Sequence, residues 1–150
     1  MVEIKNVLFP CDFTENSAKV FPYVQEVSEK WGCSVVLFHV VEGLSKWAFG
    51  YVPHLSLDTF QNEAAEGAQR AMEGFCEKHL QGCPSFQRKI VSGDPVEEIL
   101  KVIDSDAIDL VVMGTHGRKG LEHTIFGSVA GNVVRRAPVP VLVVNPNRLR

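Results

Sequence analysis

A spaced set of glycines carries the strongest chemical signal in this 150-residue chain. Gly114-Thr115-His116-Gly117 follows the apolar run 108–113, and Gly127-Ser128 opens a helical pattern. Glycines let a backbone approach an anion closely, and a helix N-terminus adds N–H groups with a partial positive charge. A buried strand that opens into such a loop and then a helix therefore predicts a phosphate-binding site.

Apolar runs of strand length alternate with amphipathic patterns along the chain and must position this loop. The predicted strands cover residues 4–9, 34–41, 86–91, 108–113 and 139–144. The predicted helices cover 14–31, 57–80, a segment that starts at Asp94-Pro95, and 128–137. This alternation predicts an α/β fold, a five-stranded parallel sheet with helices on both faces. Five strands fit the doubly wound orders, and we assume the order 3-2-1-4-5. We expect one domain over residues 1–150.

The predicted strand order brings two separate segments to one cleft. Ligands of such sheets bind at the carboxyl ends of the strands where the winding reverses, here between strands one and four. This places Pro10-Cys11-Asp12 beside the glycine loop. Asp12 is an acceptor suited to a sugar hydroxyl, and the backbone at Val40-Val41 can hydrogen-bond the edge of a base.

Composition excludes several other classes of protein. A net charge of -3 argues against nucleic-acid binding by bulk electrostatics. No apolar run reaches membrane-spanning length, and the N-terminus does not read as a secretory signal, so we expect a cytoplasmic protein. The four cysteines form no C-x-x-C pair and no zinc spacing. They are expected to be buried thiols, with Cys11 at a strand end as the one of interest.

The glycine pattern also carries a family resemblance. G-x2-G-x9-G-[ST], met by Gly114, Gly117, Gly127 and Ser128, resembles the ATP-binding signature of the universal stress protein family. The resemblance covers the whole chain. Segments 4–14, 37–41, 109–114 and 138–144 are similar to the first, second, fourth and fifth strands of that family.

The resemblance implies an adenine nucleotide α-hydrolase type of fold, ATP as ligand, and Mg²⁺ or Mn²⁺ bridging its phosphates. It implies that Asp12 contacts ribose, the Val40 backbone contacts adenine, and Met113 and Gly114 lie at the sugar–phosphate junction. The residues implied around the phosphates are Gly117, Arg118, Gly127, Ser128 and Val129. The complete set of predicted ATP-binding residues also includes Pro10, Cys11 and His116.

Two positions depart from the family pattern. Some relatives carry a small hydroxyl residue or alanine where this chain has Cys11. Ala130 occupies a position where some ATP-binding members have Thr or Ser, so one hydroxyl contact to phosphate is expected to be missing.

Several site residues have a structural alternative. Gly114 and Gly117 fit a tight turn as well as a phosphate loop, and Asp12 fits a cap of the first helix as well as a ribose contact. His116 is either a phosphate donor or a surface-loop histidine. Arg118 either neutralises phosphate or forms a solvated pair with Lys119.

Signatures of catalysis are missing from the sequence. There is no S-G-G-x-D-S loop after the first strand, no Walker pattern and no evident carboxylate pair. We therefore identify no catalytic residue and no metal-ligand set. The favoured function is a nucleotide-dependent regulator of stress response. The alternatives are a slow ATP hydrolase and a non-catalytic interaction module that binds another adenosine compound.

The last predicted strand points to self-association. Val141, Leu142, Val143 and Val144 form an apolar edge without a lysine or proline to protect it. We expect a homodimer that pairs this strand with its copy, as the family resemblance also implies.

Overall fold

A computed structural model describes residues 1–43, 54–81, 85–116 and 126–150 of the chain. Strands and helices alternate along these residues. Their bounds are β1 Asn6–Pro10, α1 Glu15–Trp31, β2 Ser34–Glu42, α2 His54–His79, β3 Phe86–Gly93, α3 Pro95–Ser105, β4 Leu110–Gly114, α4 Ser128–Arg136 and β5 Val141–Val144.

The strands form one parallel sheet with the order β3-β2-β1-β4-β5. This confirms the predicted doubly wound topology. β1 lies at the centre, where Leu8 pairs with Val36 of β2 and with Val111 of β4. The winding reverses between β1 and β4, which is where the sequence places the cleft.

Alternate residues of the strands supply two cores, one on each face of the sheet. Phe9 packs against Phe21 of α1 and Phe75 of α2, with ring centroids 6.2 and 6.5 Å away. Leu8 points to the other face and packs with residues of α3 and α4. This two-sided burial explains the unbroken apolar runs of the central strands.

Element boundaries differ from the predicted ones for local reasons. β1 begins at Asn6, since the N–H groups of Lys5 and Asn6 donate to the Asp109 carboxylate at 2.8 and 2.9 Å. β5 begins at Val141, directly after Pro140, which has no N–H for a ladder. α1 ends at Trp31 as predicted, and its C-cap Gly32 has a left-handed φ of 62°.

Within residues 1–43, 54–81, 85–116 and 126–150, no helix has both the length and the apolar character that a membrane span requires.

Candidate functional site

The carboxyl ends of β1 and β4 lie side by side at the centre of the sheet. Extending the pairing of Leu8 with Val111 by two residues sets Pro10 level with Met113. The two strands therefore end within one residue of the same level, and the turns that follow them leave the same edge of the sheet. The structure thus brings together the two segments that the sequence assigned to one cleft.

A backbone hydrogen bond joins the residue that follows β4 to the residue that precedes α4. The Gly127 N–H donates to the Thr115 carbonyl oxygen at 2.7 Å, and the Thr115 N–H donates to the Val144 carbonyl oxygen at 2.9 Å. The chain leaves β4 and returns to the start of α4 beside its own point of departure. Gly114 and Gly127-Ser128 are consequently close in space, although they are separated in sequence.

Close packing favours glycine at both ends of this segment. A Cβ atom on Gly127 would lie 3.1 Å from the Thr115 carbonyl oxygen, although the φ of Gly127, -64°, suits any residue. A Cβ on Gly114 would lie 3.2 Å from Val20 Cγ2 and 3.4 Å from the His116 carbonyl oxygen. A side chain at either position would make its neighbours shift by a few tenths of an ångström, a restriction that a tight turn and a phosphate loop share.

The N-terminus of α4 opens at this point. Its N-cap is Gly127, and no side chain of the described residues caps the helix. α3 differs, because Asp94 Oδ1 accepts from the N–H groups of Val96 and Glu97 at 3.0 and 3.2 Å. First-turn N–H groups point along the helix axis toward any anion placed there.

The side chains of the first turn of α4 have separate environments. Ser128 is exposed, and Val129 is half-buried against the α3–α4 core. Ala130 is only 3% exposed and packs into that core. A ligand at this helix end would thus meet the Ser128 hydroxyl and the backbone, while residue 130 supplies no hydroxyl.

Asp12 is held by the start of α1. Its Oδ1 accepts from the Thr14 N–H at 3.1 Å, the Thr14 hydroxyl at 2.5 Å and the Ser17 hydroxyl at 2.6 Å. Asp12 is therefore not the N-cap of α1, which is Thr14, and its carboxylate instead holds the turn that leads into the helix. Thr14 and Ser17 were not predicted to support Asp12, although an Asp side chain commonly accepts from the backbone N–H two residues on.

Phe13 and His39 complete this turn and were not predicted to do so. Phe13 has a φ of 63°, a left-handed conformation that costs a non-glycine residue roughly 1–2 kcal/mol. Its ring lies against His39 and Phe75, with centroid distances of 4.5 and 5.9 Å. His39 Nδ1 also lies 2.7 Å from the Cys11 carbonyl oxygen. The interpretation of His39 as a hydrogen-bonded core histidine thus fits, with the added contact to the turn.

The cysteines within the described ranges are buried: Cys11, Cys33 and Cys76. This confirms the expectation for those three, while Cys83 lies outside the described residues. Burial raises the pKa of the Cys11 thiol to about 12. Cys11 is therefore protonated at neutral pH and is neither a nucleophile nor a metal ligand in this state.

The remaining predicted site residues fall into two groups. Val40 is half-buried on β2, Met113 is buried on β4, and His116 is only 8% exposed, with Nδ1 2.9 Å from the Thr115 hydroxyl. Burial rules out the surface-loop alternative for His116. Gly117 and Arg118 lie outside the described residues, as does Lys119.

Over the parts of the chain that the structure describes, no group of three or more His, Cys, Asp or Glu side chains gathers to hold an ion.

Comparison with known proteins decides the family. The model of the universal stress protein family matches residues 3–145. The chain belongs to the universal stress protein family. It is 31% identical to universal stress protein MJ0577 of Methanocaldococcus jannaschii over an alignment of 166 positions, which covers 95% of the chain and 96% of the relative.

Solved structures of universal stress proteins share this fold. The structure of MJ0577 matches with a TM-score of 0.83 at 28% identity, covering 96% of this chain and 97% of the other. UspA from Lactobacillus plantarum matches with a TM-score of 0.81 at 22% identity, covering 97% and 100%. A universal stress protein of Archaeoglobus fulgidus in complex with dAMP matches with a TM-score of 0.67 at 17% identity, covering 97% and 100%.

Proposed function

We propose that this universal stress protein binds an adenosine nucleotide, ATP in particular, in the cleft between β1 and β4. The observation that carries the proposal is the hydrogen bond from Gly127 to Thr115, which joins the strand end and the helix start into one backbone cradle. A backbone site of this kind selects for phosphate. The dAMP complex of the fold neighbour from A. fulgidus supports an adenine nucleotide as the class of ligand.

Each part of the nucleotide has a proposed contact. The phosphates lie at the N-terminus of α4, next to Ser128 and Val129, with Gly117 and Arg118 contributing from the segment between β4 and α4. The ribose hydroxyls lie at Asp12. The adenine edge meets the backbone at Val40. Pro10, Cys11, Met113, Gly114, His116 and Gly127 form the walls between these contacts.

The proposed Mg²⁺ or Mn²⁺ ion arrives with the nucleotide. Phosphate oxygens are hard ligands that Mg²⁺ prefers, and it commonly keeps several waters beside them. The described residues offer no cluster that would replace those ligands. The protein is therefore expected to recognise the metal–nucleotide complex through its phosphates.

We propose a regulatory role in which nucleotide occupancy biases conformation or partner binding. Slow ATP hydrolysis is the second candidate, favoured by one observation: His116 is buried at the base of the phosphate cradle. Multiple-turnover phosphate release separates the two functions. Release that His116→Ala abolishes while ATP still binds would assign hydrolysis to this site.

The wider setting also remains a proposal. We propose that residues 1–150 form one domain, that the protein is cytoplasmic, and that it is a homodimer through β5. The edge position of β5 and the 40% exposure of Leu142 support the dimer, since an open apolar edge favours pairing.

Mass spectrometry of small molecules that co-purify with the chain tests nucleotide binding. The proposal predicts an adenine nucleotide in the denatured supernatant, reduced in Gly127→Ala prepared in parallel. A wild-type chain that carries no adenine nucleotide and takes up none from added ATP would contradict it.

A further inference from the structure

His39 contacts the β1–α1 turn on both sides of Asp12. Its Nδ1 lies 2.7 Å from the carbonyl oxygen of Cys11, the residue before Asp12. Its ring lies 4.5 Å from the ring of Phe13, the residue after Asp12. A carbonyl oxygen only accepts, so Nδ1 carries the proton in this contact. The His39 side chain, on β2, thus contacts both residues that flank Asp12, the proposed ribose acceptor.

The hydrogen bond between His39 and the Cys11 carbonyl oxygen lies where the β1–β2 ladder would continue. The β1–β2 pairing ends at Pro10 and Phe38, and the Cys11 N–H donates to the Phe38 carbonyl oxygen at 2.8 Å. A regular parallel ladder would continue with the Val40 N–H donating to the Cys11 carbonyl. His39 Nδ1 contacts that carbonyl oxygen, and Cys11 lies one residue beyond the last paired residues of β1 and β2. Because backbone groups alternate in direction along a strand, the Val40 N–H faces the β1 side of β2, as Phe38 does.

The β1–α1 turn that His39 contacts has a backbone conformation that its surroundings must stabilise. Phe13 adopts its left-handed φ of 63° between Asp12 and Thr14. Such a conformation persists in a non-glycine residue only when its surroundings fix it. The Phe13 ring is fixed by His39 on one side and by Phe75 of α2 on another. Release of the ring would let the turn relax and would move the Asp12 carboxylate.

We propose that His39 is a positioning residue for the nucleoside half of the site, setting Asp12 for the ribose and turning the Val40 N–H toward the base. The proposal rests on the nucleotide site proposed above. The two contacts of the nucleoside, at Asp12 and at the Val40 N–H, then both depend on His39, although His39 itself touches neither ribose nor base. His39 acts by taking the Cys11 carbonyl and by stacking on Phe13.

Three variants separate the two contacts of His39 from general stability. His39→Phe keeps a ring against Phe13 and removes the donor to Cys11. His39→Asn places an amide N–H near the position of Nδ1 and so retains that donor. His79→Asn is the matched control, since the His79 ring contacts Phe75 at 4.7 Å and belongs to the same aromatic cluster.

The affinities of each variant for ATP and for 2′,3′-dideoxy-ATP are measured by calorimetric titration, and Tm is recorded alongside. We expect His39→Phe to weaken ATP binding about tenfold, a loss of about 1.4 kcal/mol. The preference for ATP over the dideoxy compound should fall toward one in His39→Phe. His39→Asn should recover most of this preference, and His79→Asn should retain all of it.

The outcomes distinguish this inference from the proposed function. A wild-type chain that binds neither compound contradicts the proposed function itself. A wild-type chain that prefers ATP, with His39→Phe showing the same preference, overturns the role of His39. Equal loss of both affinities with a lowered Tm would also overturn it, because that result describes a merely structural residue. If His39→Phe does not fold, an unchanged preference in folded His39→Ala, which removes both contacts, overturns the proposal in its place.

Discussion

The Gly127 N–H donates to the Thr115 carbonyl oxygen at 2.7 Å, and this bond fixes where α4 starts relative to the end of β4. The two residues belong to the separate halves of the glycine pattern. Their contact converts a sequence spacing into a backbone cradle beside an uncapped helix N-terminus. The proposed phosphate site depends on this closure more than on any side chain of the described residues.

Replacement of Gly127 by alanine tests the closure. The added Cβ would lie 3.1 Å from the Thr115 carbonyl oxygen, so the loop base must shift by a few tenths of an ångström. We expect Gly127→Ala to weaken ATP binding by about tenfold, or about 1.4 kcal/mol, in a calorimetric titration. Undiminished affinity would show that the cradle is not the phosphate site.

Gly74→Ala is the matched control for that variant. Gly74 lies inside α2, and a Cβ there meets no atom within 4 Å. Alanine stabilises a helix interior relative to glycine by roughly 0.5–1 kcal/mol. Gly74→Ala should therefore have a higher free energy of unfolding in urea than the wild-type chain, and it should bind ATP with unchanged affinity.

Removal of the Ser17 hydroxyl tests whether the support of Asp12 affects binding. Ser17 donates to Asp12 Oδ1 at 2.6 Å, and Ser28 of the same helix donates to the Cys33 carbonyl oxygen at 2.8 Å. Ser17→Ala and Ser28→Ala should each lower the free energy of unfolding by about 1 kcal/mol. Only Ser17→Ala should also weaken ATP binding. Equal affinities in the two variants would separate Asp12 from the site.

The Lys89–Asp106 pair predicts part of the acid sensitivity of the fold. Lys89 Nζ lies 2.9 Å from both Asp106 carboxylate oxygens, and this hydrogen bond lowers the pKa of Asp106 below its usual value. Because the folded pKa is the lower one, the stabilisation is complete above the unfolded pKa of Asp106. It is lost as pH falls through the folded pKa.

Urea unfolding of Asp106→Asn across the acid range checks this sign. The variant should be less stable than the wild-type chain near neutral pH, and the difference should shrink as the pH falls. A difference that stays constant with pH would mean that the carboxylate charge contributes nothing.

Burial predicts an unreactive Cys11. Because the pKa of its thiol is raised to about 12, the thiolate population at neutral pH is very small. Alkylation with iodoacetamide, followed by peptide mass spectrometry, should modify Cys11 in urea and leave it unmodified in the folded chain. Rapid modification of folded protein would show that the Cys11 thiol is accessible and reactive, against this prediction.

The exposed edge of β5 predicts the effect of a charge there. Leu142→Lys should shift the protein toward monomer in sedimentation, since a lysine on an edge strand opposes pairing. Leu149→Lys is the control, because Leu149 is 39% exposed and lies beyond the end of β5. An unchanged dimer in Leu142→Lys would place the interface elsewhere, and a monomeric wild-type chain would contradict the dimer.

The sequence predicts the fold well because its periodicities are strong and local. Uninterrupted apolar segments such as 110–113 and the Asp94-Pro95 helix start leave few alternatives, and the alternation of strands and helices indicates a parallel sheet. Boundaries are less predictable where a distant residue sets them. β1 starts at Asn6 because of the Asp109 carboxylate, which lies far along the chain.

The candidate site is predicted in outline, and its supports are not. The glycine pattern locates Gly114, Gly127 and Ser128, and the strand order brings them to Asp12. The left-handed φ of Phe13 and its contact with His39 come from tertiary packing between residues that share no local pattern. An apolar strand that contains one histidine predicts a hydrogen bond without naming its partner.

Calorimetric titration of the purified chain with Mg²⁺–ATP, with inorganic tripolyphosphate as the comparison ligand, tests the central claim most directly. We expect saturable binding of ATP. At an ATP concentration one hundred times Kd, the free energy of unfolding should rise by about 2.7 kcal/mol. Tripolyphosphate should bind more weakly, because it lacks the contacts at Asp12 and Val40. No binding of ATP, or equal binding of both ligands, would contradict an adenosine nucleotide site between β1 and β4.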